Sequence, residues 1–93
     1  MWFVYIVRCA DDTLYTGLAK DVARRVREHN SNDRRGASYT RGRRPVALVY
    51  AEAVQTRSAA AKREYAIKHM IRRKKIALLR ARRPGMDQEV ARA

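Results

Sequence analysis

The chain has 93 residues, room for one domain with a modest core, and 46% of them are hydrophobic, which excludes wholesale disorder. Its formal net charge of +13, from 22 basic and 9 acidic residues, predicts attraction to polyanions. Seventeen of the basic residues are Arg and five are Lys; guanidinium forks match phosphate oxygens two at a time, so nucleic acid is favoured over a membrane surface, with ribosomal-type scaffolding or plain solubility as the bland readings.

Trp2 to Val7, closed by Arg8, is an apolar run of β-branched and aromatic residues, too short for a helix and expected as a buried strand. It has no basic n-region and is too short for a signal peptide or membrane span, so a soluble, cytosolic protein is expected. Cys9 is the lone cysteine; it excludes an intrachain disulfide and a thiolate zinc site. Residues 9–12 supply turn chemistry, and Thr13 to Leu18 reads as a second strand, giving a hairpin. Asp21 is an N-cap for a helix from Val22 to His29, with Val22, Arg25, Val26 and His29 on or beside one face and Arg24 paired with Glu28 on the other. Residues 31–45, SNDRRGASYTRGRRP, form a Gly-, Ser- and Arg-rich loop of a length that is usually functional. Val46 to Ala53 is a third strand. Thr56 or Ser58 starts a long helix to about Arg73, and Lys74 to Arg82 a last helical segment, stopped by Pro84-Gly85. Arginines and lysines interrupt the apolar face from Ile71 to Leu79, which argues against a membrane helix. The order β-β-α-β-α-α describes one α/β domain over residues 1–83, with a small mixed or antiparallel sheet and helices packed against it; residues 84–93 are expected as a flexible tail.

Between Glu52 and Asp87 one acidic residue, Glu64, stands among eleven basic ones, on a helical face with Ala60, Ile67 and Ile71. A carboxylate there needs a cation or hydrogen-bond donors. An ion pair, to an arginine or to Lys68 at i+4, is one answer; a hydrated Mg²⁺ is the other. Arg25 and His29, at i,i+4 beside the apolar stripe, point toward the sheet; a solvated arginine and a helix-end cation are the plain alternatives. Tyr5 and Tyr15 on paired strands are ordinary core residues when taken alone. Gly17 inside a strand suggests close backbone approach or a bulge.

Together these residues resemble a known pattern. Phe3-Val4-Tyr5, with Tyr15-Thr16-Gly17 ten residues on, resembles the signature of the GIY-YIG endonucleases. Arg25, eight residues past Gly17, falls at that family's arginine, His29 at a position often His or Tyr, and Glu64 at its metal-binding glutamate. The similarity spans about residues 2–82 and looks closest to the small stand-alone bacterial members, through Tyr39 to Pro45 and Glu64 to Lys68. Phe3 and Val4 replace the name-giving Gly and Ile, Thr16 replaces Ile, and Leu18 stands where some relatives carry Lys; both tyrosines and the glycine are kept.

The resemblance implies a GIY-YIG-like fold, a three-stranded, mainly antiparallel sheet flanked by helices. It also implies an endonuclease that hydrolyses DNA phosphodiester bonds with one Mg²⁺ or Mn²⁺, in DNA repair or processing. Tyr5 would be general base or proton relay, its pKa drawn down by Arg25 and the metal. His29 would accept the phenol proton, Tyr15 orient water or phosphate, Arg25 hold the phosphate oxygens and Glu64 anchor the metal. The basic loop, with Arg34, Arg35, Arg41, Arg43 and Arg44, would hold the nucleic-acid backbone, and Tyr39 would stack on a base or pack internally. Without a recognition helix or second domain, preference is expected for DNA structure over sequence. A non-catalytic DNA- or RNA-binding module of the same fold, or a ribosome-associated protein, is the alternative. Protein partners are not legible.

Overall fold

The computed structural model describes residues 1–31 and 37–81. Seven elements follow in order: β1 (Trp2–Arg8), β2 (Leu14–Ala19), α1 (Val22–His29), α2 (Ser38–Arg41), β3 (Ala47–Val54), α3 (Arg57–Lys68) and α4 (Arg72–Ala81). The sheet is antiparallel throughout, in the order β2-β1-β3. As the middle strand β1 is covered on both faces, which is why its apolar run is continuous and Val4 to Val7 are at most 1% exposed. Phe3, Tyr5 and Val7 face α1, with Val22, Val26, Val46 and Ala51; Val4 and Ile6 face α3 and α4, with Tyr50, Ala60, Ile67, Leu78 and Leu79. Burying each such side chain stabilises the fold by roughly 1.5–3 kcal/mol.

The β1–β2 turn is tightened at Asp12, the one described non-glycine residue at positive φ (67°). Asp11 accepts from the Thr13 amide and hydroxyl at 3.2 and 2.6 Å. The same turn binds two distant basic elements. Asp11 pairs with Arg43 at 3.0 Å, and the Asp12 carbonyl accepts from Arg72 at 3.1 Å. In α1 the Asp21 carboxylate caps the Arg24 amide at 3.0 Å. At its far end the Asn30 side chain bonds the Val46 backbone in both directions, at 3.0 and 2.7 Å, fixing the helix exit against the start of β3.

Several expectations need correction. The segment expected as an irregular loop, residues 31–45, contains the short helix α2. Its first turn closes because the Thr40 amide and hydroxyl both donate to the Ala37 carbonyl, at 3.1 and 2.9 Å. The long helix expected to reach Arg73 ends at Lys68, capped by His69, and Thr56 is its N-cap. The final helix starts at Arg72, not Lys74, with the Lys74 and Lys75 amides bonded to the Ile71 carbonyl. Ile71 therefore leaves the face shared by Ala60, Glu64 and Ile67 and is 55% exposed. The second and third strands each lie one residue further on than expected, and a bulge between Ile6 and Val7 shifts the β1–β3 register. The expected tail, residues 84–93, and the Pro84-Gly85 stop lie outside the described residues. No helix among the described residues is long and apolar enough to cross a membrane.

Candidate active site

The site is built where β1 and β2 run side by side under α1. Tyr5 and Gly17 are direct partners across the ladder, so both face α1. A Cβ on Gly17 would lie 2.6 Å from the Tyr5 hydroxyl oxygen and 2.7 Å from Cζ. The glycine is thus a close-approach residue: its missing side chain is the space that the phenol occupies.

The helical spacing of α1 brings His29 down onto the same spot. Tyr5 Oη lies 2.7 Å from His29 Nε2, and both residues are 1% exposed. On the other side of the ring, His29 Nδ1 is 2.9 Å from Thr40 Oγ1, itself fully buried. Tyr15, two residues before Gly17, sets its ring edge-on to His29 with centroids 5.4 Å apart. Arg25, one turn before His29, acts on the Tyr5 hydroxyl through its positive charge and donates to Glu28 Oε1 at 2.9 Å. Glu28 also pairs with Arg24 at 3.3 Å, as the i,i+4 spacing predicts, so one carboxylate serves two guanidinium groups.

α3 reaches the site from the far side of the sheet, past the outer strand β2. Lys68 Nζ sits 5.8 Å from the Tyr15 ring centroid. Glu64 lies 3.7 Å from Lys68 Nζ, its side chain 23% exposed, and its charge is felt at the Tyr5 hydroxyl. The i+4 ion pair weighed from the sequence therefore exists, but it is long and open to water. Among the described residues no three His, Cys, Asp or Glu side chains gather as a metal cluster. The donor on offer is one half-open carboxylate, a hard oxygen ligand. That suits an ion such as Mg²⁺, which keeps several waters and shares substrate phosphate oxygens.

The electrostatics depart from expectation in one respect. Burial, joined by the neighbouring Tyr15 and Glu64, holds the Tyr5 phenol well above its ordinary pKa; Arg25 pulls it down but does not prevail. Burial, seconded by Arg25, likewise pushes His29 down to about 4, with Glu28 pulling weakly the other way. At neutral pH the resting pair is a neutral phenol against a neutral imidazole. Arg25 stays charged: burial opposes the cation, but Glu28 and Tyr5 more than restore it.

The basic loop divides into roles. Tyr39 stacks on Tyr15 at 5.7 Å and carries the Arg43 guanidinium 4.0 Å from its ring centre; it is still 38% exposed. Arg43 donates to the Tyr39 carbonyl and the Asp11 carboxylate, and Arg44 to the carbonyls of Arg41 and Ser31. These two arginines hold the loop's shape, while Arg41 is exposed. Arg34 and Arg35 lie outside the described residues. The structure thus gathers Tyr5, Tyr15, Gly17, Arg25 and His29, brings Glu64 to their edge, and leaves Arg41, Arg43 and Arg44 at the rim. Sequence reading missed Thr40, whose hydroxyl carries no signal until the loop is folded against α1.

The GIY-YIG catalytic domain model matches residues 1–77, and the chain belongs to the GIY-YIG family, whose domain is a nuclease fold and implies a nucleic-acid substrate. Among its relatives are small single-domain UPF0213 proteins. One from Desulfotalea psychrophila is 57% identical over 86 residues, covering 92% of this chain and 77% of the relative. One from Staphylococcus aureus is 56% identical over 80 residues, covering 86% and 95%. The solution NMR structure of a UPF0213 protein from Bacillus halodurans superimposes with a TM-score of 0.59 at 41% identity, covering 95% of this chain and 94% of that one.

Proposed function

We propose that this protein is a divalent-metal-dependent endonuclease that hydrolyses phosphodiester bonds in DNA, and that it serves DNA repair or processing. The observation that carries the reading is the 2.7 Å contact between Tyr5 and the neutral imidazole of His29, both buried, beside the cationic Arg25.

In this reading the two tyrosines divide the work. Tyr15, partly exposed, orients the attacking water. Tyr5 is a relay rather than a standing phenolate, because burial makes that anion costly. As water attacks phosphorus, its proton passes to Tyr5 Oη while the phenol's own proton passes to His29 Nε2. The opposite P–O bond breaks, and the departing oxygen takes a proton from solvent. Arg25 grips the non-bridging oxygens, where negative charge grows in the transition state. Glu64 would hold the metal ion, which supplies Lewis-acid stabilisation of the charge on phosphate oxygens. Arg41, with Arg43, Arg44 and Tyr39 behind it and Arg34 and Arg35 nearby in the chain, would meet the backbone. Such contacts position DNA without reading sequence, so nicked, flapped or branched DNA is the expected substrate class.

The Glu64–Lys68 ion pair favours one other reading, a binding module of the same fold in which Glu64 is structural. The test is a Mg²⁺-dependent cleavage time course on duplex, nicked, flap and junction DNA, with wild-type protein and Glu64→Ala. Metal stabilisation contributes several kcal/mol, so cleavage by the variant should fall by about two orders of magnitude or more. Binding should persist, and the melt should move by no more than about 1 kcal/mol, since the pair is open to water. Cleavage at the wild-type rate would remove Glu64 from the chemistry; a variant that mainly unfolds would favour the structural reading.

A further inference from the structure

We infer that Thr40 is a positioning residue: through its hydrogen bond to His29 Nδ1 it fixes the imidazole tautomer that turns a bare Nε2 toward the Tyr5 hydroxyl. The inference deepens the proposed nuclease reading and rests on it for its functional part; the tautomer itself is a property of the free protein.

The hydrogens available along this line fix the tautomer. A threonine hydroxyl has one hydrogen to give and two lone pairs to offer. Thr40 Oγ1 gives its hydrogen to the Ala37 carbonyl at 2.9 Å, the contact that also closes the first turn of α2. Toward His29 Nδ1, also at 2.9 Å, it can then only accept. Nδ1 must carry the ring's hydrogen. Because the ring is buried and neutral it carries no second one, so Nε2 is an acceptor, and the phenol 2.7 Å away donates to it. Every proton in the line Tyr5–His29–Thr40–Ala37 then has one place, and all of them point along the chain in one sense.

The opposite tautomer would need Nδ1 to accept. The donor on hand for that is the Ala37 amide at 3.5 Å, the limit of a hydrogen bond. It would also require Thr40 to turn its hydrogen away from the Ala37 carbonyl. Nε2–H would then oppose the phenol hydrogen, and a proton leaving Tyr5 would have no acceptor there. Thr40 lies between Tyr39 and Arg41, on the segment proposed to meet the backbone, so the base and the rim are set by one short helix.

The first experiment needs no activity. Two-bond ¹H–¹⁵N correlation spectra of the free protein at pH 7 should give His29 the Nδ1–H pattern in the wild type. Thr40→Val should shift the population toward Nε2–H, and Thr40→Ser should restore it. A wild-type ring in the Nε2–H form overturns the inference, and that measurement does not depend on any variant folding. An unchanged tautomer in a folded Thr40→Val does so too. The second experiment is single-turnover cleavage. Thr40→Val should lower the chemical rate about tenfold, the population ratio that one neutral hydrogen bond can hold, with DNA binding unchanged and Thr40→Ser recovering the rate. An unchanged rate would overturn the positioning role. If the wild type itself does not cleave, the nuclease reading fails, and the spectra still decide the tautomer.

Discussion

Two tyrosines sit 1% exposed on opposite faces of the same small sheet, and their partners differ in kind. On the α3 face, Tyr50 Oη donates to Glu52, whose carboxylate is gripped by Arg63 Nε at 2.9 and 3.2 Å. The Arg63 charge is held in place chiefly by that carboxylate. The trio is closed: each charge faces its opposite, and the phenol proton rests beside an acceptor already committed to a cation. On the α1 face, the Tyr5 hydroxyl meets a neutral imidazole that has no ion-pair partner among the described residues. Around it stand a guanidinium paired with Glu28 and, at the sheet edge, a carboxylate held loosely by Lys68 at 3.7 Å. A buried tyrosine is therefore not in itself a functional signal. The signal is a buried phenol set against a neutral imidazole, with ion pairs that reach the solvent around it.

The widest separation between the two faces should come from paired Tyr→Phe substitutions. Tyr5→Phe should lower single-turnover cleavage by about 10²–10⁴, the usual contribution of general acid–base groups, while costing about 1 kcal/mol of stability. Tyr50→Phe should leave cleavage near the wild-type rate and cost about 1.5–3 kcal/mol, since a hydrogen bond to a carboxylate is lost. Kinetics and thermal melts on both variants decide it. Cleavage that survives in Tyr5→Phe would make the two tyrosines equivalent core residues.

Gly17→Ala sharpens the comparison without touching a polar group. Its new methyl would fall 2.6 Å from the Tyr5 hydroxyl oxygen, so the phenol must move off His29. Overpacking of this kind typically costs about 1–3 kcal/mol. Cleavage should fall by about tenfold or more, and the Tyr50 side should be undisturbed. A crystal structure of the variant with the Tyr5–His29 contact intact would contradict this account.

The pH dependence of stability separates the faces as well. Folded His29 titrates at about 4 instead of the ordinary 6.5. As pH falls through that window, the unfolded chain takes up a proton that the folded imidazole refuses. Stability conferred by the neutral buried ring is therefore complete above about pH 6.5 and lost toward pH 4, by about 3 kcal/mol at most. Denaturant melts from pH 7 to pH 4 should show this loss in the wild type and a smaller one in His29→Gln. Equal slopes would mean that His29 does not titrate with folding.

Much of this arrangement was legible in the sequence, and the rest was not, for physical reasons. The apolar run of β1 announced a strand covered on both faces. Asp21 announced the start of α1, and the i,i+4 spacing of Arg25 and His29 placed both toward the sheet. The break after Lys68 was not legible, because no Gly or Pro lies between Lys68 and Arg72 to mark it. Nor was α2: its closure rests on one threonine whose amide and hydroxyl bond back three residues, a signal that many loops carry. The sign of the Tyr5 shift also escaped, since nearby positive charge can be counted in a sequence whereas the depth of burial is known only once the sheet, α1 and α2 are assembled.

The smallest expected effect concerns the residue between the two faces' tyrosine systems. Thr16 stands where the GIY-YIG signature has isoleucine, next to Gly17 on β2 but opposite Ile6, so it points away from the Tyr5 site. It is 2% exposed, and its hydroxyl has no hydrogen-bond partner among the described residues. A buried hydroxyl without a partner costs about 1–3 kcal/mol in desolvation, and valine has nearly the same shape without that cost. Thr16→Val should therefore stabilise the protein, by about 1 kcal/mol once the lost freedom to relax around the hydroxyl is discounted. For a domain of this size that raises the melting temperature by roughly 4–8 °C. Cleavage should be unchanged, because the side chain lies on the closed face. Melts and single-turnover rates of the variant check both halves. A drop in stability would mean that the hydroxyl has an ordered water or other partner, and a drop in rate with stability intact would mean that the two faces of the sheet are not independent.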